Sequence, residues 1–127
     1  MIGRQFELIL RFPVPSKKNK YKIHKAGNRR WIGKAKVVTI AEDAIALIAR
    51  AKLPKDLKTP VRVEIYVTQS KRRKRLQDCD NLVGTIFDGL VKSGRIKDDS
   101  MGYIGQLEVI YMGRGDDEVS VKIIELS

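Results

Sequence analysis

Asp78 and Asp80, then Asp98 and Asp99, are the carboxylates whose spacing could do chemistry, because they sit beside the densest positive run of the chain, Lys71 to Arg75. Of fifteen acidic residues, four fall in these two clusters, in a chain with a formal net charge of +11. Anions placed there would repel a polyanion unless a cation lay between them. A divalent ion with a preference for oxygen resolves the conflict, since Mg2+ is held by one or two carboxylates together with substrate phosphates, while Lys and Arg hold the rest of the phosphate backbone. In an extended or helix-capping conformation Asp78 and Asp80 can converge on one point, although residues two apart in a regular helix cannot. Whether Asp98 or Asp99 reaches the same point is a tertiary matter that spacing leaves open.

Each residue also has a plainer role. Asp78 suits a helix N-cap, Asp80 a first-turn acid, Asp98-Asp99 a solvated turn and Lys71 to Arg75 a solvated loop. A calcium-binding EF-hand is excluded, because the third ligand position is Leu82 and no glycine follows in place. His24 suits a surface or phosphate-contacting role, Cys79 a small packing residue, and Trp31 either an anchor or a stacking face.

The elements that must position these residues follow from periodicity. Phe6, Leu8, Leu10 and Phe12 alternate with Glu7, Ile9 and Arg11, which predicts a strand closed by Pro13 and Pro15. Ser16 to Lys36 holds nine Lys or Arg residues and no acid, with turn signals at Gly27, Asn28 and Gly33, and is expected to be a basic loop or flap. Val37, Ile40, Ala41, Ala44, Ile45, Leu47 and Ile48 recur at helical spacing, predicting a helix from about Ala35 to Ala51 that Pro54 stops. Val61, Val63, Ile65 and Val67 alternate with Arg62, Glu64 and Tyr66 in a second strand leading into the basic run. Asp78 then caps a helix carrying Leu82, Ile86, Phe87, Leu90 and Val91 and ending at Gly94. Strands are predicted over Gln106 to Met112 and Glu118 to Leu126, joined by a hairpin turn at residues 113–117. The order βαβαββ implies an α/β fold: one domain over 1–127, with a mixed β-sheet packed against two main helices.

Composition bounds the function. A pI near 10 directs attention to nucleic acid before membrane. No apolar run approaches the roughly 20 residues of a spanning helix, and the N-terminus lacks a signal-peptide core. One cysteine makes no internal disulfide and has no zinc-ligand cluster, so a reducing cytoplasm is the expected setting. No membrane and no organic cofactor are expected.

The chain resembles the RusA-type Holliday-junction resolvases, endonucleases of bacteria, phages and prophages. The resemblance runs through Pro13-Val14-Pro15-Ser16, Asn19, Tyr21, the basic run, Asp78-Cys79-Asp80-Asn81, Phe87-Asp88-Gly89-Leu90, Lys92-Ser93-Gly94 and Asp98-Asp99. Its specific part is Asp-x-Asp-Asn with the later Asp-Asp pair. It implies a homodimer that binds four-way junction DNA and makes paired symmetric nicks with Mg2+, or with Mn2+, in DNA recombination and repair. It assigns catalysis and metal binding to Asp78, Asp80 and Asp99, with Asp98 a further candidate ligand. The ion would polarise the scissile phosphate and activate a water for in-line attack. A twofold dimer suits a junction of approximate twofold symmetry, and it would carry +22, twice the +11 of one chain. The DNA contacts expected are Lys17, Lys18, Lys20, Arg29, Arg30, Lys71, Arg72, Arg73, Lys74, Arg75, Lys92 and Lys97.

Family members can carry a lysine four residues after the second motif aspartate, where this chain has Gly84; Lys97, Lys92 or Arg75 are the nearest substitutes by sequence. Leu76-Gln77, between the basic run and Asp78, is a second departure. The alternative reading is a basic nucleic-acid-binding protein whose acids are structural.

Overall fold

The computed structural model describes residues 3–16, 21–26, 29–34, 36–72, 76, 77 and 79–127, with the backbone alone described for 21–26, 29–34 and Cys79. In chain order the elements are β1 (Gln5–Leu10), β2 (Tyr21–Ala26), β3 (Arg29–Lys34), α1 (Lys36–Lys52), β4 (Val61–Ser70), α2 (Cys79–Lys92), β5 (Ile104–Gly115) and β6 (Glu118–Glu125). The predicted α/β class holds, and the βαβαββ order describes the main sheet with its helices. The segment read as a basic flap supplies an additional antiparallel pair, β2 with β3, as a separate two-stranded sheet.

The main sheet has the order β1-β6-β4-β5. β4 runs antiparallel to β6 and parallel to β5, and β6 runs antiparallel to β1. The hairpin expected at 113–117 is therefore not a hairpin: β5 and β6 lie on opposite sides of β4, and their connection arches over its end. Gly113, at φ 110°, helps the chain turn there. Asp117 Oδ1 accepts from Ser70 N at 3.0 Å, and Arg114 donates to Ser70 O at 2.8 Å, so the arch occupies the backbone groups at the end of β4.

Alternation in β4 is complete, with Val61, Val63, Ile65, Val67 and Gln69 buried and their neighbours half-buried. The buried face meets Leu8, Leu10, Val119, Val121 and Ile123 of β1 and β6, and both helices cover it. On the opposite face Arg62 donates to Glu64 at 2.8 Å and bridges to Glu108 of β5, while Tyr66 Oη donates to Glu64 at 2.7 Å. The Arg62 guanidinium, then the Tyr66 hydroxyl, hold the Glu64 carboxyl below its usual range.

The faces of α1 differ from expectation. Val38, Ala41, Glu42, Ile45, Ala46 and Ala49 are buried, whereas Val37, Ile40 and Leu47 are 56%, 58% and 66% exposed. The helix is apolar around most of its circumference, and α2 selects the inner face through Gly89. A Cβ on Gly89 would stand 2.6 Å from Ile45 Cγ2 and 2.7 Å from Ile45 Cβ. Overpacking of this kind costs about 1–3 kcal/mol, more than the roughly 0.5–1 kcal/mol that alanine gains over glycine in a helix. Gly89→Ala is therefore expected to lower Tm in a thermal melt; an unchanged or raised Tm would show that α1 yields without cost. Gly94, at φ 77°, ends α2, its N–H donating to Val91 O at 3.0 Å.

At the sheet end where β4 begins, Glu125 is buried and accepts from Arg4 Nε at 3.0 Å, Arg4 NH2 at 2.9 Å and Lys58 N at 2.8 Å. The Arg4 side chain first, then the Lys58 amide, draw its pKa down from 4.5 to about 2. A carboxyl whose pKa is depressed on folding adds stability above its unfolded value and loses it as pH falls through the folded one. Stability is thus expected to decline between about pH 4.5 and pH 2 in part through Glu125. Glu125→Gln should lower Tm by several degrees at pH 7 and flatten that decline; a parallel pH profile would overturn the assignment.

Candidate metal and DNA site

A strand-to-helix corner carries the site. β4 ends at Ser70, the exposed Lys71 and Arg72 follow, and α2 starts at Cys79. Two glutamines fasten the corner: Gln69 donates to Gln77 Oε1 at 3.0 Å, and Gln77 N donates to Gln69 Oε1 at 3.1 Å. Gln77 Nε2 also donates to Val14 O at 2.8 Å, and Thr85 Oγ1 donates to Pro15 O at 2.7 Å. The Pro-Val-Pro-Ser segment is thereby pinned to the first turns of α2, with Val14 buried beneath it. Sequence reasoning missed Gln69, Gln77, Thr85 and Asp117 as positioning residues. One signal was available, because Gln69 occupies a core-facing position of the β4 alternation, where an amide needs partners.

Asp80 stands exposed in the first turn of α2, with Oδ1 accepting from Asn81 N at 2.9 Å. Arg72 N donates to Ser70 Oγ at 3.1 Å, shaping the start of the basic run. Arg114 brings a further exposed guanidinium to this end. An apolar cleft of about 180 Å³, lined by Val67, Gln69, Leu76, Gln77, Leu82, Val109 and Tyr111, opens beside the corner.

Asp98 and Asp99 lie at the other end. α2 spans fourteen residues from Cys79 to Lys92, a run of about 20 Å at 1.5 Å per residue, and it leads away from the corner. After Gly94 the chain buries Ile96, and Arg95 donates to the carbonyls of Leu53 and Arg50 near the end of α1. It then enters β5 beside the start of β4, where Val61 N donates to Tyr103 O at 2.9 Å and Ile104 N to Ser100 O at 2.9 Å. Asp98 and Asp99 are exposed there, and neither forms an ion pair with another described residue. Lys97 is exposed in the same turn, and Lys92 is ion-paired with Asp43.

One chain therefore brings Asp80, Lys71, Arg72 and Arg114 to one end of the sheet and Asp98, Asp99, Lys92 and Lys97 to the other. Asp78, Lys17, Lys18, Lys20, Arg73, Lys74 and Arg75 lie outside the described residues; Arg29 and Arg30 belong to β3, opposite Ala26 and Lys25. Among the described residues no three His, Cys, Asp or Glu side chains gather as a metal cluster. Most other acids are committed: Glu64 and Glu108 to Arg62, Glu118 to Arg11, Glu125 and Asp56 to Arg4, Asp43 to Lys92. Glu7 and Asp116 are exposed without a described cation, and so are the motif carboxylates Asp80, Asp98 and Asp99. Their hard oxygen donors suit Mg2+ or Mn2+.

No described helix is long and apolar enough to cross a membrane. No curated protein matches the chain. The family described as endodeoxyribonuclease RusA matches residues 10–124 of the 127, a span that takes in both acidic motifs and the whole corner. The chain belongs to the RusA endodeoxyribonuclease family.

Proposed function

We propose that this chain, as a member of a family of Holliday-junction endonucleases, makes paired symmetric nicks in four-way junctions as a Mg2+-dependent homodimer, with Mn2+ an acceptable substitute. The observation that carries the reading is the solvent-facing Asp80 at the basic end of β4, inside the family match. Asp78, Asp80 and Asp99 would hold the ion, with Asp98 a further candidate ligand. When bound, the ion supplies Lewis-acid polarisation of the scissile phosphate. Lys71 to Arg75 hold the flanking phosphates, and the amides at the start of α2 add an anion-binding surface.

The separation of about 20 Å along α2 supports a site built from two chains, in which Asp78 and Asp80 of one protomer meet Asp99 of the partner subunit. That arrangement makes the dimer a requirement of the chemistry, and it gives two sites related by the twofold axis. Lys97 of the partner subunit would arrive with the same turn, supplying a cation where Gly84 offers none. A cytoplasmic setting in a bacterial or phage-derived context belongs to the same proposal.

The test is a nicking assay on an end-labelled four-way junction and a linear duplex of matched arms. Symmetric cuts near the branch with Mg2+, abolished by EDTA and restored by added Mg2+ or Mn2+, are expected. Tight junction binding without cuts would establish the binding-only reading instead.

A further inference from the structure

Among the described residues β5 is an open edge of the main sheet, twelve residues long and paired with β4 alone. Long edge strands are commonly blunted by lysine, proline or inward charge, yet β5 contains no lysine or proline and only Glu108 and Arg114 as charges. Leu107 and Val109 share the helix-side face of the sheet with Tyr111. Leu107 is 45% exposed, and Tyr111, 52% exposed, borders the apolar cleft beside α2 together with the exposed Leu76. An apolar edge of this kind on a strongly charged chain is a template for strand pairing.

We infer that β5 pairs antiparallel with β5 of a second copy, about a twofold axis near Val109, and joins two four-stranded sheets into one of eight strands. The inference rests on the two-chain site proposed above and adds the surface that builds it. Directly opposed residues in an antiparallel pair share a face. With the axis at Val109, Leu107 covers Tyr111 of the partner subunit, and Tyr111 covers Leu107 of the partner subunit.

Antiparallel pairing also exchanges the ends of the strand. The turn that holds Asp98 and Asp99 precedes β5, so in the second copy it lies at the end where β5 of the first finishes, beside Arg114, Lys71 and Arg72. Acidic turn meets basic corner, and two charge sets remote within one chain become neighbours. The exposed apolar stripe of α1, Val37, Ile40 and Leu47, offers the competing seam. α1 packs on β1, at the opposite edge of the sheet from β5. A seam there would leave both α2 helices, and the carboxylates at their ends, on the outside of the dimer.

Disulfide trapping decides between the seams. Glu108→Cys, Val109→Cys and Ile110→Cys, each oxidised in the full chain, are compared with Leu47→Cys, and the native Cys79 sets the baseline. At least one β5 variant is expected to run as a dimer of twice 14.4 kDa on a non-reducing gel, with Leu47→Cys at baseline. The double variant Leu107→Lys/Tyr111→Lys is expected to elute as a folded monomer that has lost nicking. β5 and Leu47 variants all at baseline, in a dimeric protein that still nicks, overturn the seam and leave the two-chain site standing; trapping at Leu47 with β5 at baseline overturns both. A wild-type monomer that cuts junctions overturns both.

Discussion

Mixing Asp80→Asn with Asp99→Asn is expected to restore cleavage that neither variant shows alone. Each substitution removes one carboxylate from both sites of its own homodimer, so each protein by itself should nick four-way junctions at least about 100-fold more slowly, a loss of roughly 2.7 kcal/mol of transition-state stabilisation. In a mixed dimer the Asp99→Asn chain contributes Asp80 and the Asp80→Asn chain contributes Asp99, which together rebuild one intact site; the second site carries both losses. Random exchange makes half the dimers mixed, so about a quarter of the wild-type number of sites returns, one per mixed dimer. Products should then be single nicks without the paired cut on the opposing strand. Asp80→Asn alone should keep or strengthen junction binding, since an anion near phosphate is lost. If the mixture stays as inactive as its components after subunit exchange is verified, Asp80 and Asp99 do not share a site across two chains.

That prediction depends on a feature no spacing rule could supply. The nineteen positions from Asp80 to Asp99 are compatible with a chain that doubles back or one that carries on; burial of Ile96 and the pairing of Tyr103 with Val61 decide for the second. The sheet was readable where its cause is local: Val61 to Val67 alternate because one face meets helices and the other water. α1 was readable as a helix but not in orientation, because apolar residues ring it and long-range packing against α2, where Gly89 meets Ile45, and against β1 selects the face. Gly113 to Asp117 carried turn residues that serve a hairpin or an arch over a third strand equally, and the choice lies in long-range pairing with β4. The β2–β3 pair escaped because cations dominate its alternation, masking the period of two. Gln77, half of the departure Leu76-Gln77 between the basic run and Asp78, supplies the strut from β4 to Val14.

Replacing Lys71 to Arg75 with glutamine is expected to produce the largest change in junction affinity, and one that depends on salt. Lys71 and Arg72 are exposed where β4 ends, on the same corner as Asp80, and Arg73, Lys74 and Arg75 follow them in sequence. Each phosphate neutralised by a cation contributes about 0.9 to the slope of log affinity against log salt for duplex DNA, because a condensed counterion is released. Five lost contacts would therefore flatten the slope by up to about 4.5, equivalent to a difference of roughly 500-fold in the affinity change between 50 and 200 mM salt. Lys92→Gln makes the natural comparison. Its ammonium is already paired with Asp43, so its removal should alter the slope far less. Titrations of a four-way junction across that salt range separate the two variants without requiring cleavage, and can be run in EDTA. An unchanged slope in the five-residue variant would remove the run from the DNA interface and leave the flanking phosphates to the β2–β3 hairpin, where Arg29 and Arg30 lie on one strand.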